Sequence, residues 1–132
     1  MIEKMNEHSN AVNWFEIPMI DTERARKFYE GVFDIELKFV EMMGYEMLFF
    51  PSSDNMEGKV SGALIKGETH KPSKEGVVLY LNANPDIQVV IDRISAHGGQ
   101  IMMPRTLINE QVGYMATFID SEGNYLALHA SW

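Results

Sequence analysis

The stretch Asp120-Ser121-Glu122-Gly123-Asn124-Tyr125-Leu126-Ala127-Leu128-His129 decides the fold. Asp, Ser, Gly and Asn in close succession specify a tight turn. The residues after it alternate as a strand does, with Leu126 and Leu128 on one face and Tyr125, Ala127 and His129 on the other. A strand with one aliphatic face packs that face under a helix and leaves the second face to line something else. The rest of the chain supplies such a helix twice.

Near the start, Val12 to Ile17 is rich in β-branched and aromatic residues and reads as a strand, followed by Pro18 and by Asp21 as a helix N-cap. Ala25, Phe28, Tyr29 and Val32 then fall at i, i+3, i+4 and i+7, one apolar stripe, while Glu23, Arg24, Arg26, Lys27 and Glu30 face water. Strands are predicted around Ile35 to Val40, Tyr45 to Phe50 and Val60 to Ile65, separated by Gly44 and by the polar stretch Ser52 to Gly58.

The second half repeats this order. Val77 to Leu81 reads as a strand, Asn84-Pro85-Asp86 as a helix start, and Ile87, Val90, Ile91 and Ile94 as the stripe. Gly98-Gly99 ends that helix, because glycine enters the left-handed region cheaply. Strands follow at Ile101 to Met103 with Thr106 to Ile108, at Tyr114 to Ile119, and at Tyr125 to His129. Lys66 to Glu75 has the composition of a connector. The pattern predicts an α+β protein: a polar tail over residues 1–10, then a single domain over 11–132 made of duplicated strand-helix-strand-strand-strand modules, at about 11–66 and 76–132.

Trp14-Phe15-Glu16-Ile17-Pro18, then Asp21, Phe28-Tyr29 and Asp120 to Asn124, resemble the vicinal oxygen chelate superfamily, the glyoxalase, bleomycin-resistance and extradiol-dioxygenase group. The resemblance covers Val12 to Trp132. It implies two βαβββ modules forming a curved mixed β-sheet with a groove, the helices on its outer face, and a homodimer. Whether one chain closes the groove or two share it stays open, since both arrangements use the same unit. In the metalloenzymes of the group, His, Gln and Glu from the first and last strands of each half hold a divalent ion on the groove floor. Alignment puts Trp14, the strand around Gly62, Ala63 and Leu64, Val77 and Ala127 at those four positions. None carries a usual ligand, so no metal or other cofactor is expected.

Alternation sends Trp14 and Glu16 to the groove and Phe15 and Ile17 under the first helix. It likewise sends Tyr125, Ala127 and His129 inward and Leu126 and Leu128 under the second helix. The expected ligand-binding set is therefore Trp14, Glu16, Tyr125 and His129, with Glu16 and His129 as base and acid where they converge. His97 belongs at the second helix's C-terminus, where a cation meets the macrodipole favourably. His8 lies in the tail and His70 in the connector. Arg105 either reaches the groove to bind a carboxylate or phosphate, or forms an exposed ion pair.

Nineteen acidic against eleven basic residues give a net charge of -8, which repels nucleic acid and anionic membranes. No apolar run reaches the roughly 18 residues of a membrane span, and Met1 to Asn10 lack a signal peptide's apolar core. Without cysteine there is no disulfide, thiolate metal site or cysteine nucleophile, and a reducing compartment, the cytoplasm, is expected. Ten methionines, with pairs at Met42-Met43 and Met102-Met103, are read chiefly as core filling. No phosphate-cradling loop or nucleophile elbow occurs.

Three functions follow from these residues and the resemblance. The first is a metal-independent glyoxalase-like protein that binds a small organic molecule. The second is a divalent-metal lyase, isomerase or dioxygenase with a displaced site that includes Glu16 and His129. The third is an antibiotic-sequestering binding protein of the bleomycin-resistance type.

Overall fold

The computed structural model describes residues 3–53 and 59–132, so part of the predicted loop Ser52 to Gly58 lies outside the described residues. Two βαβββ units follow one another. The first comprises β1 (Trp14–Pro18), α1 (Thr22–Phe33), β2 (Lys38–Met42), β3 (Tyr45–Phe49) and β4 (Ser61–Lys66). The second comprises β5 (Tyr80–Asn82), α2 (Ile87–Ala96), β6 (Gln100–Asn109), β7 (Gly113–Ile119) and β8 (Tyr125–Ala130). Each unit forms its own four-stranded mixed sheet, ordered β1-β4-β3-β2 and β5-β8-β7-β6, with one parallel pair, β1 on β4 and β5 on β8.

Local chemistry explains the helix boundaries. Asp21 caps α1 by accepting the Arg24 N–H at 3.0 Å, and Asp86 caps α2 by accepting the Gln88 N–H at 2.9 Å. The stripes Ala25, Phe28, Tyr29, Val32 and Ile87, Val90, Ile91, Ile94 are the buried faces, as their spacing predicts. Beyond α2, Gly98 takes φ +95°.

Three strands differ from expectation. β2 starts later than Ile35 because Leu37 is drawn into the core, its N–H bonded to the Glu30 carboxylate at 2.9 Å. β5 is shorter than Val77 to Leu81, since Val77 and Val78 are exposed. The two short strands predicted around Pro104 are one strand, β6, whose bulges shift the register between Ile101 and Thr106. The methionine pairs do not fill the core: Met42, Met43, Met102 and Met103 are all exposed.

Each helix covers one face of its own sheet and leaves the other free. One apolar cluster holds the stripes of both helices together with Ile17, Leu48 and Leu64 of the first sheet and Ala116, Phe118, Leu126 and Leu128 of the second. α1 packs on both sheets at once. Tyr29 meets Phe50 edge-on at 5.8 Å, and Phe28 stacks on Phe118 of β7 at 6.2 Å. The architecture is thus the expected α+β arrangement of two βαβββ modules, built as two four-stranded mixed sheets whose helix-covered faces share one core. The helix-free face of the first sheet lies outside this core and carries its own small cluster, Met47, Ala63 and Ile65.

The turn Asp120 to Asn124 locks this arrangement. Asp120 Oδ1 accepts the N–H groups of Glu122 and Asn124 at 2.8 and 2.9 Å, and Asp120 Oδ2 accepts the buried Tyr29 hydroxyl at 2.7 Å. Burial, then Asp120, push the Tyr29 phenol well above its ordinary pKa, so it remains a donor. Asn124 Nδ2 donates to the Pro18 carbonyl at 2.7 Å. The Glu122 side chain is fully buried at the N-terminus of α1, where Oε1 accepts the N–H groups of Ile20 and Asp21, both at 2.7 Å. Arg24 Nε donates to Oε2 at 2.7 Å and Nη2 to Oε1 at 3.1 Å.

Burial alone would raise the pKa of Glu122; the bonds from Arg24, Asp21, Ile20 and Ser121 outweigh it and hold the carboxyl below its ordinary value. A depressed folded-state pKa contributes stability that is complete above the ordinary glutamate value and is lost as pH falls through the lowered one. Glu122→Ala is expected to cost about 2–3 kcal/mol, since it removes the buried acceptor of the Ile20 and Asp21 N–H groups and the partner of the half-exposed Arg24. Glu122→Gln should cost less and flatten the acid limb, and urea melts from pH 7 down to about 3 measure both.

Gly123 sits in the same turn at φ +98°, a conformation a β-branched side chain does not take without strain. Gly123→Val is expected to destabilise by about 1–3 kcal/mol. His129→Ala should cost less than that in the same melts, and equal losses would contradict the turn's role.

Candidate functional site

The register fixes what each helix-free face presents. On the first sheet Trp14, Glu16 and Pro18 of β1 lie beside Ser61, Ala63 and Ile65 of β4, and Met47 and Phe49 of β3 continue the surface. Met47, Ala63 and Ile65 form a second small apolar cluster with Tyr45 and Phe49 packed against it. The Trp14 and Phe49 rings meet edge to face at 5.3 Å, with Trp14 40% exposed. This aromatic surface on an open sheet face is suited to a flat ligand.

Glu16 stands in this patch with an unpredicted partner. His70 Nε2 lies 2.8 Å from Glu16 Oε1, and His70 Nδ1 lies 3.1 Å from the Thr69 hydroxyl, which is 3.1 Å from the Tyr45 hydroxyl. A carboxylate only accepts, so Nε2 carries the proton. In neutral His70, Nδ1 then accepts from Thr69, whose oxygen accepts from Tyr45. The series Tyr45, Thr69, His70, Glu16 thus has a single donor direction with neutral His70 and fixes one Glu16 oxygen, Oε1.

His70 gets there by a fold-back that its place in the connector did not reveal. After β4 the chain turns at Gly67, whose carbonyl accepts the His70 N–H at 3.2 Å, and a bridge between Gly67 and His70 returns the imidazole onto the sheet. The Tyr45 ring occupies the space a Cβ at Gly67 would need. A cleft of about 1000 Å³ adjoins this turn, lined by Tyr45, Glu46, Lys66, Thr69, His70 and Lys71 among others.

On the second sheet Tyr80 pairs with Ala127 and Asn82 with His129, while Tyr125 opposes Ile119. His129 Nε2 is bonded to the Val112 carbonyl at 2.7 Å. Trp14 and Glu16 are therefore together on one sheet, and Tyr125 and His129 on the other. Within one chain Glu16 and His129 do not converge. His97 is the C-cap of α2, its Nδ1 2.7 Å from the Arg93 carbonyl. Arg105 is in neither expected role: its guanidinium stacks on Tyr114 at 3.6 Å and on Trp132 at 4.8 Å.

A divalent ion needs several converging nitrogen or oxygen donors. The positions expected to hold it are Trp14, the stretch Gly62 to Leu64 of β4, Val77 and Ala127; Val77 lies outside β5 and is 95% exposed. An indole, which only donates, and aliphatic side chains do not supply the nitrogen or oxygen donors of a divalent site. Among the described residues no three His, Cys, Asp or Glu side chains gather as a metal-ligand group.

The profile of the Glyoxalase/Bleomycin resistance protein/Dioxygenase superfamily matches residues 11–128, and the chain belongs to that superfamily. Solved structures agree with this at the level of fold. A glyoxalase I variant from Zea mays superposes with a TM-score of 0.69 at 16% identity over 90% of this chain and 45% of that one, so the chain spans about half of the maize enzyme. A glyoxalase/bleomycin resistance protein from Streptomyces sp. CB03234 gives a TM-score of 0.64 at 24% identity, covering 89% of this chain and 99% of the other. TnmS3, an antibiotic binding protein from the same organism, gives 0.65 at 21% identity over 95% and 98%. No curated protein matches the chain.

The Glu16–His70 contact is half-exposed, with 34% and 25% of the two side chains accessible, so its value lies in orientation more than in stability. A double-mutant cycle on Glu16→Gln and His70→Gln is expected to give a coupling of no more than about 1 kcal/mol in urea melts. Stronger coupling would make the pair structural.

Proposed function

We propose that this protein binds a small organic molecule against the helix-free face of its first sheet, without a metal ion. The observation that carries the reading is the Glu16 carboxylate, oriented by His70 and set beside the Trp14–Phe49 surface. An aromatic wall and one directional carboxylate suit a flat organic ligand that presents a hydrogen-bond donor or a positive charge. The net charge of -8 draws the same class of molecule by long-range attraction. Antibiotic binding, the property named for TnmS3, is the version of this function that the acidic aromatic surface favours.

The groove in this proposal is shared between two chains. The helix-free faces lie on opposite sides of one chain, so Trp14 and Glu16 meet a surface bearing Tyr80, Tyr125 and His129 only if a second copy brings it. Covering both faces twice by one symmetric operation gives a homodimer with two identical grooves. The cysteine-free sequence suits a reducing compartment, and the proposal places the protein in the cytoplasm.

Should a reaction accompany binding, Glu16 is the base this geometry supplies, with His70 holding its orientation. A lyase or isomerase step of glyoxalase type would then run by proton transfer alone.

A thermal-shift screen of cationic and neutral aromatic compounds, antibiotics included, tests the binding reading, since a native-state ligand raises the melting temperature. With the best hit, Glu16→Gln should weaken binding at least about tenfold, or 1.4 kcal/mol. His70→Gln should weaken it less, and both proteins should melt near the wild type. Unchanged affinity in both variants would remove the site. Light scattering should find two chains per particle, whereas a mass of 15.1 kDa at every concentration would contradict the shared groove.

A further inference from the structure

The inner faces of the two sheets do not meet everywhere. At the end of the molecule opposite the Glu122 lock, a cavity of about 720 Å³ opens between the modules, within the size range of small-molecule sites. Its floor is Phe15 of β1, Phe33 at the end of α1, Ile35, Phe50 and Leu81, side chains that pack against the core without closing it. Phe15 and Phe50 lie tilted at 5.5 Å and form one wall.

The polar side chains among the described lining residues are neutral: the amides of Asn10, Asn82 and Asn84, the Ser61 hydroxyl and the Tyr80 phenol. Asn82 Oδ1 is taken by Asn84, whose own Oδ1 holds the Ser131 N–H, so the Asn82 amide N–H₂ is the donor turned over to a ligand. Among the described residues no charged side chain lines the cavity, although 23% of the chain is charged. The Glu16 patch is different in kind, because its polar contact is a carboxylate and it lies on a helix-free face.

We infer that this inter-module cavity is a second ligand site, which takes an uncharged, ring-bearing apolar molecule with a carbonyl or hydroxyl oxygen for the rim amides. A charged ligand would lose its hydration there with no counter-charge to replace it. Because Phe15 and Leu81 belong to different modules, an occupant bridges the two sheets and stabilises their docking.

The probe for this site is Nile red, a neutral ring-bearing dye with a carbonyl oxygen, titrated into the full chain and followed by fluorescence. Saturable binding of one dye per chain with a blue-shifted emission is expected, together with a raised melting temperature. The anionic dye 1-anilinonaphthalene-8-sulfonate should bind at least about tenfold more weakly. Ala11→Trp and Val12→Glu change exposed positions at the mouth, the first by bulk and the second by charge. Each should weaken Nile red at least fivefold at unchanged melting temperature. Glu16→Gln should leave it unchanged, which separates this site from the groove. Absent or non-saturable binding, binding unaffected by both mouth variants, or equal binding of the anionic dye would each overturn the assignment.

Discussion

One buried carboxylate holds the two halves of this molecule in register. Glu122 belongs to the second module, yet its oxygens accept the backbone N–H groups that begin the first module's helix, with Arg24 closing the contact from outside. These N–H groups lie at and just before the N-cap, where no turn of the helix supplies an acceptor, and Glu122 supplies one. The neighbouring Asp120 turns the same segment onto Tyr29, and Asn124 ties it to Pro18. Between them, five residues of one turn decide which faces of the two sheets share a core.

The functional arrangement follows from that choice. With α1 wedged between its own sheet and β7, the aliphatic faces are consumed in one cluster, and the alternate residues are turned outward on both sides. Glu16 and His129 are thereby separated within the chain, and the proposed groove requires a second copy. The inter-module cavity belongs to the same packing: away from the Glu122 contacts, Phe15 and Phe50 of the first module and Leu79 and Leu81 of the second line a gap between the modules.

Much of the fold was legible because it rests on periodicity. The stripe at Ala25, Phe28, Tyr29 and Val32, its repeat at Ile87 to Ile94, and the alternation from Tyr125 to His129 give the correct buried faces without any tertiary information. The relative placement of the modules was not legible, since either packing uses the same stripes. The site was half legible. Alternation correctly put Glu16 and Trp14 on one face, but the partner of Glu16 is His70, which comes from a connector that folds back through Gly67. Neither period nor motif marks such a return. Arg105 was misread for a related reason: its partners Tyr114 and Trp132 come from a neighbouring strand and the chain's end, and sequence spacing does not bring them near.

The proposed dimer requires that the helix-free faces point apart within a chain and face each other across two. The natural chain has no cysteine, so spin labels can be set cleanly at Lys38→Cys on the first sheet's helix-free face and Met103→Cys on the second's, both exposed. Pulsed dipolar distances would be recorded twice: in doubly labelled chains diluted with unlabelled protein, and in mixtures of the two singly labelled chains. The account predicts the shorter distance between chains and the longer one within a chain. A short distance within the diluted, doubly labelled chain, with none between chains, would contradict it.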